Sequence, residues 1–222
     1  MNNKFDLFSG TRILEEVDSP VNGKVRVLQS LAWGNHVQAG NLTQSGGVVT
    51  NVWKYSLKKV KEKKAEINNC LILGLGGGSA AKLVRNFWTN AEIIGVELDP
   101  VMVDLGMKYL GLGSANVKII TDDALEFCKK EMIKSEEGSN KKYDLILVDI
   151  YVGDVIPDKF ETEDFVQNIK ALISDNGMTV FNRIYFDENK GYAINFGKKL
   201  EKIFTNVIPT YPEANIMYIC SN

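Results

Sequence analysis

One stretch limits what this chain can fold into: Asn69-Cys70-Leu71-Ile72-Leu73-Gly74-Leu75-Gly76-Gly77-Gly78-Ser79-Ala80-Ala81-Lys82-Leu83-Val84. The apolar run Cys70 to Leu73 is short and uninterrupted, as a strand buried on both faces must be. A glycine-rich turn follows. Ala80, Ala81, Leu83, Val84, Phe87 and Trp88 then recur at helical spacing. Strand, glycine turn and helix open an α/β nucleotide-binding unit. Glycines let the backbone approach a ligand that a Cβ would repel, and the helix start turns unpaired N–H groups toward it.

Gly76-x-Gly78-x-x-Ala81 fits the dinucleotide pattern G-x-G-x-x-G/A, a weak signal by itself. The next segment strengthens it. Glu92-Ile93-Ile94-Gly95-Val96-Glu97 reads as a second strand ending in a carboxylate. Glu97 follows the glycines by roughly 20 residues, where an acid binds ribose hydroxyls. The expected ligand contains adenosine.

Composition narrows the classes. With 45% hydrophobic and 24% charged residues, the 222-residue chain can bury a sizeable core. A net charge of −2 argues against bulk electrostatic binding of nucleic acid. Three cysteines lack metal-ligand spacing and read as free thiols of a cytoplasmic protein. His36 is the single histidine, which argues against a Ser-His-Asp hydrolase or a multi-histidine metal site, so no metal is expected. The N-terminus, Met1 to Asp6, is polar, and neither a signal peptide nor a spanning segment is expected, so no membrane partner either.

Residues 1–46 differ from the rest. Thr11 to Val17 and Lys24 to Leu31 read as strands around a turn at Asp18 to Gly23, and Trp33 to Gln38 as a further short strand. Gly40 to Gly47 reads as a polar loop. A helix is expected from Val48 to Glu66, with Val49, Val52, Trp53, Leu57 and Val60 on its core face and a solvated lysine run behind. The division expected is a β-hairpin appendage over 1–46 and a nucleoside-binding domain over 47–222. From Asn69 strands and helices alternate, which implies a parallel sheet covered on both faces. Asp99 and Pro100 suit an N-cap and first helical position. Asp122-Asp123 opens another helix; Ser135 to Lys142 is a polar connector. Tyr143 to Asp149 is a fourth strand, and a fifth covers Met178 to Ile184. The last two strands, Asn206 to Pro209 and Asn215 to Cys220, lie too close for a helical crossover and should pair antiparallel.

Gly76-Gly77-Gly78, Val96-Glu97-Leu98-Asp99-Pro100, Asp122-Asp123-Ala124 and Tyr143-Asp144-Leu145-Ile146-Leu147-Val148-Asp149 occur in that order. Together they resemble the spermidine synthase-like branch of the class I S-adenosylmethionine-dependent methyltransferase superfamily. The resemblance implies a Rossmann-like, seven-stranded, mostly parallel sheet with its last strand antiparallel. It implies S-adenosylmethionine, or its decarboxylated form, as the bound nucleoside, and a homodimer by analogy. Gly76 and Gly78 would line the methionine end and Glu97 would accept both ribose hydroxyls. Asp123 would accept from the adenine amino group, with Ala124 supplying an N–H. Gly74, Leu98 and Asp122 flank these positions at the strand ends. Asp149 would lie beside the sulfonium and the acceptor, with Tyr151 near it.

The departures bear on the acceptor. Aminopropyltransferases of the family carry Gly-Gly-Gly-Asp-Gly-Gly where this chain has Gly76-Gly77-Gly78-Ser79-Ala80-Ala81. They carry Asp-x-x-Asp-Pro where it has Asp149-Ile150-Tyr151-Val152-Gly153, so only the first acid remains. A polyamine needs several carboxylates along its channel. Asp154, Glu161, Gln44, Tyr55 and Asn182 are the remaining candidates to face the acceptor. The resulting expectation is methyl transfer to a small amine or other acceptor. Aminopropyl transfer, a non-catalytic nucleoside-binding module and, last, a nicotinamide enzyme are the alternatives.

Overall fold

The computed structural model describes residues 5–6, 10–136 and 141–222. Most of the polar N-terminus, and positions 137–140 of the connector expected over Ser135 to Lys142, lie outside these. Five strands, β1 (Phe5–Asp6), β2 (Thr11–Ser19), β3 (Gly23–Ser30), β4 (Gly34–Ala39) and β5 (Leu42–Gly46), form an antiparallel sheet in sequence order. The loop expected over Gly40 to Gly47 is therefore a strand. Thr43, Gln44 and Ser45 lack the apolar alternation that signals one, because β5 is an edge whose polar side chains serve the neighbouring site.

Helix α1 (Gly47–Lys63) begins directly after β5. The second sheet comprises β6 (Asn69–Leu73), β7 (Glu92–Glu97), β8 (Val117–Thr121), β9 (Tyr143–Val148), β10 (Ile173–Ile184), β11 (Asn206–Thr210) and β12 (Asn215–Ser221). Their spatial order is β11-β12-β10-β9-β6-β7-β8, and β12 runs antiparallel to both its neighbours. The expected architecture is thus present. Strand β10 begins earlier than expected, at Ile173, and its register with β9 shifts between Ile173 and Met178, where the Asp175-Asn176-Gly177 turn residues sit.

Helices α1 and α2 (Ser79–Phe87) pack Trp53, Leu57, Val60, Leu83 and Val84 on one face of this sheet. Helices α4 (Ala124–Glu136), α5 (Glu163–Leu172) and α6 (Asn189–Ile203) bury Phe127, Phe165 and Phe196 on the other. Helix α3 (Pro100–Leu105) contributes Met102 and Leu105 to a third core with Val25, Val27 and Val37 of the N-terminal sheet. The two sheets are thereby packed together by apolar contact.

Polar contacts fix that junction. Asp99 is fully buried; it caps α3 by accepting from Val101 N–H and also accepts from Ser19 Oγ (2.5 Å) and Asn22 Nδ2 (2.6 Å). Ser45 Oγ accepts from Gly77 N–H, and Ser79 Oγ accepts from Gly46 N–H. A carboxylate out of water is tolerable only when its lone pairs are taken up, and here two donors from the N-terminal sheet and its turn and one from α3 do so.

Candidate active site

A cavity of about 490 Å³ opens at the carboxyl ends of β6, β7, β9 and β10, under the β5 edge and the start of α1. That is where ligands of open α/β sheets bind. Gly74, Leu75, Gly76, Ser79 and Ala80 supply its floor; Glu97, Leu98, Asp122, Asp123 and Ala124 line one half. Trp53, Gln44, Asp149, Tyr151 and Asn182 line the other, and Phe186 just beyond β10, Glu213 just before β12 and Asn215 at the start of β12 contribute farther along.

Gly74 adopts φ +84°, and a Cβ there would lie 2.0 Å from the Asp149 carbonyl oxygen. Only glycine lets β6 and β9 finish side by side. Gly78, at φ +88°, is needed for a different reason. A Cβ would meet Leu112 Cδ1 at 2.3 Å, and the residue does not line the cavity. Gly78 thus packs the turn against Leu112, while Gly76 lines the cavity.

Glu97 ends β7 with both oxygens held by backbone. Oε2 accepts from Gly76 N–H (2.7 Å) and Oε1 from Asp99 N–H (2.9 Å). Burial pushes its carboxyl above the ordinary range, and these two N–H groups oppose the shift. The carboxylate is thus oriented across the turn with lone pairs to spare for a diol. Asp123 caps α4, its Oδ1 accepting from Leu125 and Glu126 N–H, while Oδ2 lies 2.5 Å from Lys159 Nζ. Burial raises its carboxyl, but the Lys159 ammonium and the helix-start N–H groups outweigh this and hold it below the ordinary range. Lys159, from the 3-10 turn Asp158–Phe160, was not anticipated and occupies the acid expected to read the adenine amino group. Asp122 faces the cavity and pairs with Lys130 (2.6 Å).

In the other half of the cavity Asp149 follows β9 immediately. Its Oδ2 accepts from Trp53 Nε1 (2.7 Å) and its Oδ1 from Asn182 Nδ2 (2.7 Å). Asn182 Oδ1 in turn accepts from Asn215 Nδ2 (2.8 Å). Burial pushes the Asp149 carboxyl up; Asn182, Trp53 and the charge of Arg183 pull it down without cancelling the rise. Arg183 points away from the cavity, stacked 3.7 Å over Phe196 with Nε 3.0 Å from Glu161 Oε1. Glu161 is thus committed to Arg183 and does not line the acceptor space. Tyr151 O–H accepts from Ile184 N–H (3.0 Å), and burial raises its phenol well above the ordinary range.

Two further acceptor candidates lie off the cavity lining. Tyr55 is half exposed on α1 and Asp154 is exposed; neither lines the cavity. Tyr55 is two residues from Trp53, and that spacing turns it to another side of the helix. Asp154 lies in a tight turn closed by the Val152–Val155 bridge, which points it outward. Gln44 does line the cavity, but as a strut: Nε2 donates to Gly153 O (2.5 Å), while Gly153 N–H donates to Asn22 Oδ1 (3.1 Å). The N-terminal sheet thereby grips the peptide groups of Gly153 from both sides and roofs the site. Sequence reasoning missed Trp53, Ser45, Asn22, Lys159 and Asn215. Trp53 sat within an apolar stripe that read as core, and nothing in its spacing marked the indole N–H as used. Among the described residues no cluster of three or more His, Cys, Asp or Glu is placed to hold a metal, and no helix is long and apolar enough to cross a membrane.

Sheet order and crevice define a class I methyltransferase-type, Rossmann-like fold, and solved structures share it. Human methyltransferase-like protein 13 in complex with SAH superposes with a TM-score of 0.61 at 20% identity, over 78% of this chain and 79% of that one. A spermidine synthase in complex with the transition-state analogue AdoDATO gives 0.74 at 17% identity, over 95% and 73%. The spermine/spermidine synthase domain model matches residues 46–222, and the chain belongs to that family. A polyamine aminopropyltransferase of Vibrio vulnificus (strain CMCP6) is 32% identical over 134 residues, 58% of this chain and 43% of the relative. The eEF1A lysine and N-terminal methyltransferase homolog of Drosophila melanogaster is 28% identical over 177 residues, 73% of this chain and 25% of the relative. The chain thus spans less than half the length of these two curated relatives.

Proposed function

We propose that this protein binds S-adenosylmethionine and transfers its methyl group to an amine. Residues 47–222 hold the nucleoside and residues 1–46 roof it. The observation that carries the reading is the state of Asp149: one carboxylate at the donor–acceptor junction, bounded by the uncharged side chains of Trp53, Gln44, Tyr151 and Asn182. One amino group finds a partner there, whereas of the described residues Glu213 is the one further acid along this side of the cavity, fewer than the several ammonium groups of a polyamine need once desolvated.

Glu97 accepts the ribose hydroxyls, and Gly74 and Gly76 leave room for the amino-acid arm. Ala124 and Leu98 border the adenine, with Asp123 and Lys159 beside it. Asp149 accepts the proton that the ammonium must lose. The freed nitrogen lone pair then forms the N–C bond as the C–S bond breaks toward sulfur. Fixing the two partners in line supplies most of the catalysis such a displacement needs.

Aminopropyl transfer remains the second reading, favoured by the Vibrio relative. Calorimetry against S-adenosylmethionine and its decarboxylated form, followed by mass spectrometry of mono-, di- and polyamines and amine-bearing peptides, separates the two. Tighter binding of the carboxylated nucleoside and a mass gain of one methyl group support methyl transfer. Preference for the decarboxylated form and aminopropyl products overturns it. A nucleoside complex inert toward every amine points to a binding module.

A further inference from the structure

Resting on the assignment of Asp149 as the acceptor's carboxylate, the chain Trp53–Asp149–Asn182–Asn215 carries a second conclusion. We infer that Trp53 is a positioning residue: its indole N–H locks Asp149 as an oriented carboxylate with acceptor capacity left for the acceptor's amino group.

The indole is fully buried and reaches Asp149 across 96 positions of sequence, from the helix that joins the two sheets. An indole N–H donates only. A protonated Asp149 therefore finds no acceptor in Trp53 at Oδ2. At Oδ1 the partner is the Asn182 amide, whose own oxygen is taken by Asn215 Nδ2, so its NH2 faces the carboxylate. Both contacts are made to the charged form of Asp149, and the two rotate it into one plane. A carboxylate offers about four lone-pair sites. Two are used, one on each oxygen.

The charged and titratable groups packed around Asp149 act with this arrangement or stay silent. Arg183 on β10 favours the carboxylate, and the buried Tyr151 phenol stays protonated. Asn182, Asn215 and Trp53, from β10, β12 and α1, carry no charge. Removing the indole N–H leaves burial opposed by Asn182 and Arg183 alone, so Asp149 holds its proton to higher pH and is ready to accept one over a narrower range.

The test uses the full chain with S-adenosylmethionine and whichever amine is turned over. Trp53→Phe is expected to move the acidic limb of the kcat profile to higher pH. It should lower kcat by about tenfold at neutral pH, as one lost hydrogen bond to a charged group does. The nucleoside Kd and the acceptor KM should change little. In uniformly 15N-labelled wild type, the Trp53 indole resonance is expected to titrate with the midpoint of that acidic limb and to stop titrating in Asp149→Asn. Should Trp53→Phe not fold, Trp33→Phe and Trp88→Phe assign the resonance by elimination. A folded Trp53→Phe with the wild-type pH profile, or an indole resonance flat across the acidic limb, overturns the inference. Turnover surviving in Asp149→Asn overturns the underlying reading instead, so the two failures are distinct.

Discussion

The two halves of the crevice hold their acids by different means. In the half lined by Glu97 and Asp123, both acids accept from main-chain N–H groups at most 21 positions away, at the turn after β6 and at two helix starts, with Lys159 as one side-chain partner of Asp123. In the acceptor half, Asp149 accepts from side chains 96 and 33 positions away, and the roof over it is held by contacts spanning 109 and 131 positions. Backbone donors survive any substitution except proline, so the first half tolerates change around its acids. Side-chain donors are lost one substitution at a time, so the contacts around Asp149 are the more easily altered of the two sets.

Variants can break this contrast. The largest effect is expected from Asp149→Asn, which keeps the size and removes the base. Turnover should fall about 10²–10⁴-fold with nucleoside affinity retained, read by steady-state kinetics beside calorimetry. Gly74→Ala comes next. The strained φ and the 2.0 Å approach to the Asp149 carbonyl force β6 and β9 apart. Unfolding in urea should show a loss of about 3–5 kcal/mol, in the range reserved for backbone clashes in a core. Asn22→Ala removes the donor to Asp99 and the acceptor for Gly153. It should cost about 1–3 kcal/mol of stability, and the acceptor KM should rise while nucleoside binding holds. Smallest is Lys130→Ala, whose partner Asp122 keeps its backbone contact. For so exposed a pair, the urea midpoint of unfolding is expected to stay close to the wild-type value.

The halves also differed in how far the sequence revealed them. The Asp99-Pro100 helix start is legible because its cap acts within two residues of its own motif, and Glu97 falls at the end of its expected strand. Asp99 does cap α3, and Gly74 and Gly76 do face the cavity. Gly78 shows how two demands give a glycine the same appearance in sequence: room for a ligand and room for a neighbour such as Leu112. Trp53 read as core, which it also is; an indole N–H leaves no periodic mark. Strand β5 read as a loop because its polar residues answer to the site rather than to a core. Tyr55 and Asp154 had the right chemistry in the right segment, yet neither faces the cavity, and only the fold decides that.

Burial has a further consequence for Glu97. Its carboxyl sits above the ordinary range, and the ionised form is the one that accepts from a diol. Nucleoside affinity should therefore weaken as pH falls through that raised value, at less acidic pH than for an exposed glutamate, in calorimetric titrations across the acid range.

The measurement that bears most directly on the crevice is a paired titration of S-adenosylmethionine into wild type and Glu97→Gln at neutral pH. Saturable one-site binding by the wild type is predicted, weakened in the variant by about 1–3 kcal/mol for the lost charge-assisted contact. Equal affinity in a folded variant, or no binding by the wild type, would contradict the account.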